Sequence, residues 1–321
     1  MSWQQVSVLL IGLGLYSGIT LAESTPVTLD EIEMEDSVSM EPESPEPIAE
    51  RARKANGMIE QRVQYEERSA GDPFVLTAHK PNYFLPIYYT GKSGDRGTYN
   101  NINSDQLQDT EFKFQVSLKF PVAKGVLGRD SKLWFAYTQE SYWQAYNSEI
   151  SAPFRDTNYE PEAFITTEPK LDFSFFGAKL AHINYGIVHQ SNGRAEPISR
   201  SWNRVYADFI FEHQNTVVSI KPWYRIPESE ADDDNADIED YLGHGELTVV
   251  HVINDVTLDV LLRNNLNFSE NHGSVRLGVS FPMWGKVRGY AQYFEGYGQS
   301  LLDYNNYTRS FGIGFMLSNW L

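Results

Sequence analysis

Two side chains with catalytic chemistry stand two positions apart in the stretch "YGIVHQSNGR", where His189 precedes Ser191. A serine hydroxyl becomes a nucleophile when an adjacent imidazole takes its proton, and the imidazole needs a third group to fix its tautomer. Asn203, twelve residues after the serine, is such a group, because a neutral amide can orient the ring without supplying charge. The three residues are therefore candidates for a nucleophile, a general base and an orienting residue.

Alternation along the chain predicts that these three side chains share one face of two neighbouring strands. Side chains at i and i+2 of a strand lie on the same face, so His189 and Ser191 continue the apolar row Ala181, Ile183, Tyr185 and Ile187. By the same parity Asn203 begins the apolar row Val205, Ala207, Phe209 and Phe211. A lone His or Ser at a membrane interface is usually an ordinary rim residue, whereas three on one face across paired strands favour a site.

The same period of two extends over most of the chain from about residue 73 onward. Apolar and polar residues alternate over 112–120, 256–262, 275–281 and 311–317. Turns near 121–131, 175–179, 213–214, 252–254 and 282–285 are mostly short, and they alternate with longer polar linkers near 91–109, 147–157, 190–200, 227–239, 266–272 and 297–307. A soluble sandwich also alternates, but short turns at one end and long loops at the other are typical of a transmembrane barrel. We predict an all-β fold, a twelve-stranded antiparallel transmembrane β-barrel over residues 73–321.

The N-terminal residues are predicted to contain an export signal followed by a disordered segment. Residues 1–22 are predicted to be a signal peptide, with an apolar run that ends in "TLAES"; a lone membrane anchor is the alternative. Residues 23–50 are acidic and rich in Ser and Pro, which predicts disorder. Residues 51–72 are predicted to be a periplasmic segment with a short polar helix. Counting strands from a periplasmic N-terminus puts the linker 190–200 at the outer rim, so that the row ending in His189 and Ser191 faces lipid in the outer leaflet.

Composition and charge exclude several classes of function. The 321 residues include no cysteine, which excludes thiol catalysis, disulfides and Cys-ligated zinc. The formal charge is −17, but residues 1–50 hold ten acidic residues and no Lys or Arg, so the rest carries only −7. This charge argues against nucleic acid as a partner. The acidic stretch 228–240 lacks the glycine and spacing of an EF-hand and is predicted to be a solvated outer loop.

These motifs resemble one known family over about residues 73–321. The block "HQSNGR" followed by "SRSWNR", the stretch "YTQESYWQ" with "SAPFRDTNYEP", and the closing run "FEGYGQSLLDYN" are similar to the outer-membrane phospholipase A family. The resemblance implies a twelve-stranded barrel in which Ser191 is the nucleophile, His189 the general base and Asn203 the orienting residue. The chain departs from the family pattern in three places. Gln190 stands where the family often has an acidic residue, the chain ends in "SNWL" instead of in Phe, and the acidic segment 23–50 is not part of the family pattern.

The resemblance also implies a calcium cofactor and a reversible homodimer. The Arg194 carbonyl and the Ser199 hydroxyl are expected to bind calcium in one subunit, and the carbonyl of Ser151 of the partner subunit is expected to help complete the site. Oxygen ligands of this kind suit calcium, whose charge would assist the Gly193 backbone N–H in stabilising an oxyanion. Gln139 is predicted to lie on a lipid-facing row, where an unpaired amide is costly, and the resemblance assigns it to the dimer interface.

We therefore predict a calcium-dependent serine phospholipase A of the bacterial outer membrane, activated by dimerisation. Its substrates would be phospholipids, cleaved at either acyl position, and lysophospholipids. The rival hypothesis is a non-enzymatic barrel, either a pore or an adhesin. Parity disfavours it, because a pore places its functional polar residues in the lumen, whereas His189 and Ser191 are predicted to face lipid. A soluble serine hydrolase is a more distant alternative, disfavoured by the lipid-facing rows.

Overall fold

The computed structural model describes residues 57–69, 76–91, 98–99, 102–103, 106–128, 131–169, 173–175 and 177–319. The predicted signal peptide and acidic segment, part of the segment 51–72, and the last two residues of "SNWL" lie outside these ranges. The short helix predicted after residue 50 is present as α1, Met58–Ser69.

Twelve long strands in the described residues form a closed antiparallel barrel, as predicted. Each strand pairs with the next along the chain, and the last pairs with the first. The strands are β1 Asn82–Thr90, β2 Thr110–Lys124, β3 Ser131–Trp143, β4 Phe154–Thr167, β5 Ala178–Ser191, β6 Ser201–His213, β7 Thr216–Ile226, β8 Gly245–Ile253, β9 Val256–Asn264, β10 Gly273–Trp284, β11 Val287–Gly296 and β12 Thr308–Ser318.

Short elements lie between or beside these strands. Two-residue strands occupy Thr77–Ala78, Thr98–Tyr99, Ile102–Asn103 and Ser174–Phe175, a 3-10 turn occupies Ser148–Ile150, and a second helix, α2, occupies Ile238–Leu242. No helix in the described part of the chain is both long enough and apolar enough to span a membrane.

Burial alternates along the strands as the period of two predicts. In β2 the charged or polar side chains from Glu111 to Lys119 are buried, while the aromatic and aliphatic ones between them are partly exposed. Lys113 Nζ lies 2.9 Å from Glu140 Oε1, and the Arg155 guanidinium lies 2.8 Å from Glu111, both in the lumen. A polar cavity of about 150 Å³ remains between such side chains. The barrel thus has a polar interior and an apolar outer surface, which is the pattern of a transmembrane barrel.

Most connections alternate in length around the barrel; the exception is the β4–β5 connection, predicted as a turn near 175–179, which spans residues 168–177. Two-residue turns join β6 to β7, β8 to β9 and β10 to β11, whereas the loops after β5, β7, β9 and β11 span 192–200, 227–244, 265–272 and 297–307. The strands extend a few residues further into the turns than predicted, most clearly at 121–124. This difference arises because the backbone ladder continues past the point where side-chain alternation stops.

Helix α1 packs at the barrel end that carries the short turns. Its first two backbone amides, of Met58 and Ile59, donate to Glu212 beside the β6–β7 turn. The same two side chains pack against an apolar cluster that includes Val217. Two turns further along the same face of the helix, Glu66 pairs with Lys119 of β2 at 2.7 Å. The long loops, and the candidate site among them, lie at the opposite end.

Candidate active site

Strands β5 and β6 bring the three candidate catalytic residues to one outward face. In the antiparallel register Asn203 is the direct partner of His189, and Ser201 is the partner of Ser191. Residues of the same row are exposed on the outside of the barrel: Ile187 is 51% exposed and His189 is also exposed. The predicted parity and the predicted proximity of His189 and Asn203 are both present in the structure.

The imidazole of His189 is held by one hydrogen bond. Its Nδ1 lies 2.9 Å from Oδ1 of Asn203. Because an amide oxygen only accepts hydrogen bonds, Nδ1 carries the proton in this contact and Nε2 is left with a lone pair. This is the tautomer that a general base requires, since Nε2 is then the atom that accepts a proton.

Ser191 is the last residue of β5, two positions along the same face from His189. On the neighbouring strand β4 the backbone partner of Ser191 is Tyr159, and Tyr159 is in turn the partner of Gln139 on β3. No hydrogen bond joins the Ser191 hydroxyl to another side chain among the described residues, the His189 ring included. A catalytic hydrogen bond is often absent or long without substrate, so the shared face keeps both groups available for it.

The loop 192–200 is organised by a buried side chain, that of Asn192. Its Oδ1 accepts from the backbone N–H groups of Arg194 at 3.2 Å and Arg200 at 3.0 Å, while its Nδ2 donates to the carbonyl of Ile198 at 2.9 Å. A single amide therefore links both halves of the loop that leaves Ser191. Buried polar groups that satisfy several backbone partners fix loop geometry in this way.

Gly193 follows in a conformation that suits glycine. Its φ is +62°, and a Cβ placed there would lie 3.0 Å from Cε2 of Tyr159. Because a side chain is disfavoured both by the backbone angle and by this neighbour, glycine lets the loop approach the outer face beside Ser191.

On the lumen side of the same strands, Gln190 ties β5 to β6. Its Oε1 accepts from Trp202 Nε1 at 2.9 Å and from the Arg204 guanidinium at 3.1 Å. The Arg204 guanidinium also stacks over the Trp202 ring, 3.9 Å from its centroid. The wall behind the catalytic face is therefore packed and hydrogen-bonded, with the Gln190 side chain directed toward the lumen.

Comparison with known proteins identifies the family of this chain. The model of the phospholipase A1 family matches residues 59–317. The chain belongs to the phospholipase A1 family. Phospholipase A1 from Klebsiella pneumoniae is 40% identical over 248 residues, which cover 77% of this chain and 84% of that protein. Phospholipase A1 from Escherichia coli K12 is 39% identical over 77% of this chain and 83% of its own length.

Solved structures of the family agree with the barrel. Outer membrane phospholipase A from Escherichia coli superposes with a TM-score of 0.71 at 38% identity, covering 78% of this chain and 94% of that one. The outer membrane phospholipase of Salmonella typhi, a dimer with bound calcium, gives the same TM-score, identity and coverage. The fold of this phospholipase A1 family member is therefore the closed twelve-stranded barrel, as the sequence predicted.

The residues expected to hold calcium lie in two outer loops. Ser199 donates its hydroxyl hydrogen bond to Asp234 in the loop after β7. The Asp234 and Glu196 carboxyl groups share a hydrogen bond, which raises the pKa of Glu196. Burial alone would raise the pKa of Asp234, but the hydrogen bonds of Asp234 with Glu196 and Ser199 outweigh it, so the pKa of Asp234 is lowered. A carboxylate thus borders Ser199, although the set predicted from the sequence contained none.

Arg194 and Ser151 come from neighbouring loops of this family member. The Arg194 side chain donates to the carbonyl of Phe154 at the start of β4, 2.9 Å away. Ser151 ends the 3-10 turn with φ of +62° and is exposed. No described residue donates a hydrogen bond to the carbonyl of Ser151 or of Arg194. Both carbonyl oxygens are therefore available to a ligand.

Gln139 lies on the outward row of β3, next to Tyr137, which is 39% exposed. Its Oε1 accepts from the Tyr137 hydroxyl at 3.2 Å, and its Nε2 donates to Ser141 at 3.2 Å. The outward position agrees with the prediction, and two neighbours on the same row satisfy part of the hydrogen-bonding capacity of the Gln139 amide.

Sequence reasoning missed two residues that contact the candidate triad or its loop. Asn192 organises the loop after Ser191, and Glu228 accepts a 2.8 Å hydrogen bond from Nδ2 of Asn203. Glu228 belongs to the acidic stretch that was predicted to be only a solvated loop. The sequence did carry a signal for Asn192, because an Asn-Gly dipeptide frequently marks a turn that the Asn side chain stabilises.

Proposed function

We propose that this protein is a calcium-dependent serine phospholipase A that acts in the bacterial outer membrane as a reversible homodimer. The observation that carries the proposal is the outward-facing pair of His189 and Asn203, with Ser191 next to it on the same face. Membership of the phospholipase A1 family and the dimeric, calcium-bound relative from Salmonella typhi support it. The site meets its substrate in the lipid, not in the lumen.

The chemistry follows from the positions of the side chains. Ser191 Oγ attacks the carbonyl carbon of an acyl ester as its proton passes to Nε2 of His189, and the backbone N–H of Gly193 would donate to the resulting oxyanion. His189 then returns the proton to the departing glycerol oxygen, which leaves a lysophospholipid and an acyl group on Ser191. A water molecule, deprotonated by the same imidazole, releases the fatty acid. Asn203 keeps Nδ1 protonated throughout.

The residues available for calcium fit that ion. The carbonyl of Arg194, the hydroxyl of Ser199 and the carbonyl of Ser151 of the partner subunit are oxygen ligands, and Asp234 adds a carboxylate beside Ser199. When bound, calcium would supply positive charge near the developing oxyanion. Because the ligands come from two chains, calcium and dimerisation are expected to favour each other.

The substrates proposed are phospholipids, cleaved at either acyl position, and lysophospholipids. His189 is exposed on the outer wall, so either acyl ester of a surrounding lipid can approach it. The rival, a pore, is disfavoured by lumen contacts that bridge non-adjacent strands, such as the hydrogen bond that Lys113 of β2 donates to Gln292 of β11 at 2.9 Å.

The test is release of fatty acid from detergent-solubilised phospholipid, with calcium and with a chelator. We expect activity only with calcium, and none in Ser191→Ala. A sulfonyl fluoride should label Ser191 and no other residue. Labelling elsewhere, or full activity of Ser191→Ala, would overturn the assignment. Activity that persists in the chelator would overturn the calcium requirement alone.

A further inference from the structure

The amide of Asn203 has a second partner besides His189. Its Nδ2 donates to Oε1 of Glu228 at 2.8 Å, while its Oδ1 faces Nδ1 of His189 at 2.9 Å. Glu228 lies two residues beyond the end of β7, and the last residue of that strand, Ile226, is the backbone partner of Asn203. The sheet register therefore brings the glutamate to the far side of the amide, so that the three side chains form a continuous line.

We propose that Glu228 is a positioning residue of the catalytic group, which acts on His189 through Asn203. This inference rests on the proposed serine hydrolase function. A carboxylate accepts hydrogen bonds and cannot donate them, so it fixes which end of the Asn203 amide faces each neighbour. The amide NH₂ must face Glu228, and the amide oxygen must then face His189.

The opposite orientation of the amide would disable the base. If Asn203 were rotated, its oxygen would face the carboxylate and its NH₂ would donate to Nδ1 of His189. The ring proton would then lie on Nε2, the atom that must accept the proton of Ser191. A neutral amide alone has two orientations of similar shape, and Glu228 removes this ambiguity.

Glu228 also supplies charge that an asparagine lacks. Its second oxygen, Oε2, is buried and has no hydrogen-bond partner among the described residues. No Lys or Arg of the described chain forms an ion pair with Glu228; Arg225, three residues before it in the sequence, pairs with Asp233 at 2.6 Å. The carboxylate therefore polarises the amide of Asn203, and this makes Oδ1 a stronger acceptor for imidazolium. The catalytic group therefore has four members, in which Glu228 orients Asn203, Asn203 orients His189, and His189 activates Ser191.

The test uses Glu228→Ala and Glu228→Gln in the full-length protein, alone and in an Asn203→Ala background. Glu228→Ala should lower kcat about three- to tenfold, no more than the loss of Asn203 through which it acts, with little change in KM, the order expected for one hydrogen bond. Glu228→Gln keeps an acceptor oxygen without the charge and should recover part of that loss. In the Asn203→Ala background, Glu228→Ala should have no further effect, because its route to His189 is already cut.

Glu230→Ala is the matched control, because Glu230 is exposed in the same loop and should leave kcat unchanged. The rate of sulfonyl fluoride labelling of Ser191 gives a readout independent of lipid binding and should fall in parallel with kcat. Equal effects of Glu228→Ala with and without Asn203, or rescue of Glu228→Ala by excess calcium, would overturn the positioning role. An inactive wild type, or a fully active His189→Ala, would instead refute the proposed function.

Discussion

Nδ1 of His189 lies 2.9 Å from Oδ1 of Asn203, its direct cross-strand partner. Because the contact joins two backbone-paired positions, the sheet itself sets the distance between base and orienting residue. His189→Ala removes the base and should lower kcat by about 10²–10⁴-fold. Asn203→Ala leaves the ring in place and should cost about tenfold, as for one lost hydrogen bond to a charged group. Fatty-acid release measures both, and equal losses would contradict the assigned roles.

Gly193→Ala tests the oxyanion role of the loop after Ser191. A methyl group at φ of +62° and 3.0 Å from Tyr159 must shift the backbone N–H, so kcat should fall at least about tenfold while KM changes little. Gly285→Ala is the matched control, because Gly285 has a similar φ of +54° but nothing within 4 Å of its Cβ. Both variants carry backbone strain of about 1–2 kcal/mol, so they differ in their distance from the site and in the contact of the new methyl group with Tyr159. A similar kcat in the two variants would remove Gly193 from the mechanism.

Asn192→Ala should loosen the outer loop without unfolding the barrel. The substitution removes three hydrogen bonds, to Arg194, Ile198 and Arg200, that hold the two halves of 192–200 together. We expect weaker calcium dependence, seen as a several-fold higher half-saturating calcium concentration, and faster proteolysis within this loop. The heat-modifiable gel shift of a folded barrel should persist. Unchanged calcium titration would show that the loop holds its shape by other means.

Gln139→Ala should weaken the dimer but leave each barrel folded. The amide faces outward on β3, where a partner copy would remove it from lipid, and such polar pairs in membranes are worth about 1 kcal/mol. That amounts to about a fivefold higher Kd, which sedimentation in detergent across a calcium titration can measure. Leu277→Ala on β10 is the control, since it truncates an outward side chain on another part of the wall. The same change in Kd for both variants would argue against a specific role of Gln139.

The barrel and the shared face of the catalytic residues were predictable because both depend on the two-residue alternation of apolar and polar side chains along the strands. Alternation fixes which face His189 occupies, and a single loop between β5 and β6 makes their strands neighbours. Contacts between loops carry no such period. The hydrogen bond of Ser199 to Asp234 joins residues 35 positions apart in two irregular segments, so no spacing rule predicts it. Glu228 was missed for the same reason, as one acid among many in an acidic stretch.

The outward direction of His189 has a consequence for how the reaction rate depends on substrate. A lipid that reaches this face travels sideways within a two-dimensional film, so the relevant concentration is its mole fraction among the amphiphiles that surround the barrel. Diluting the phospholipid with inert detergent at constant bulk molarity should therefore slow turnover. Adding more micelles of unchanged composition should leave it the same.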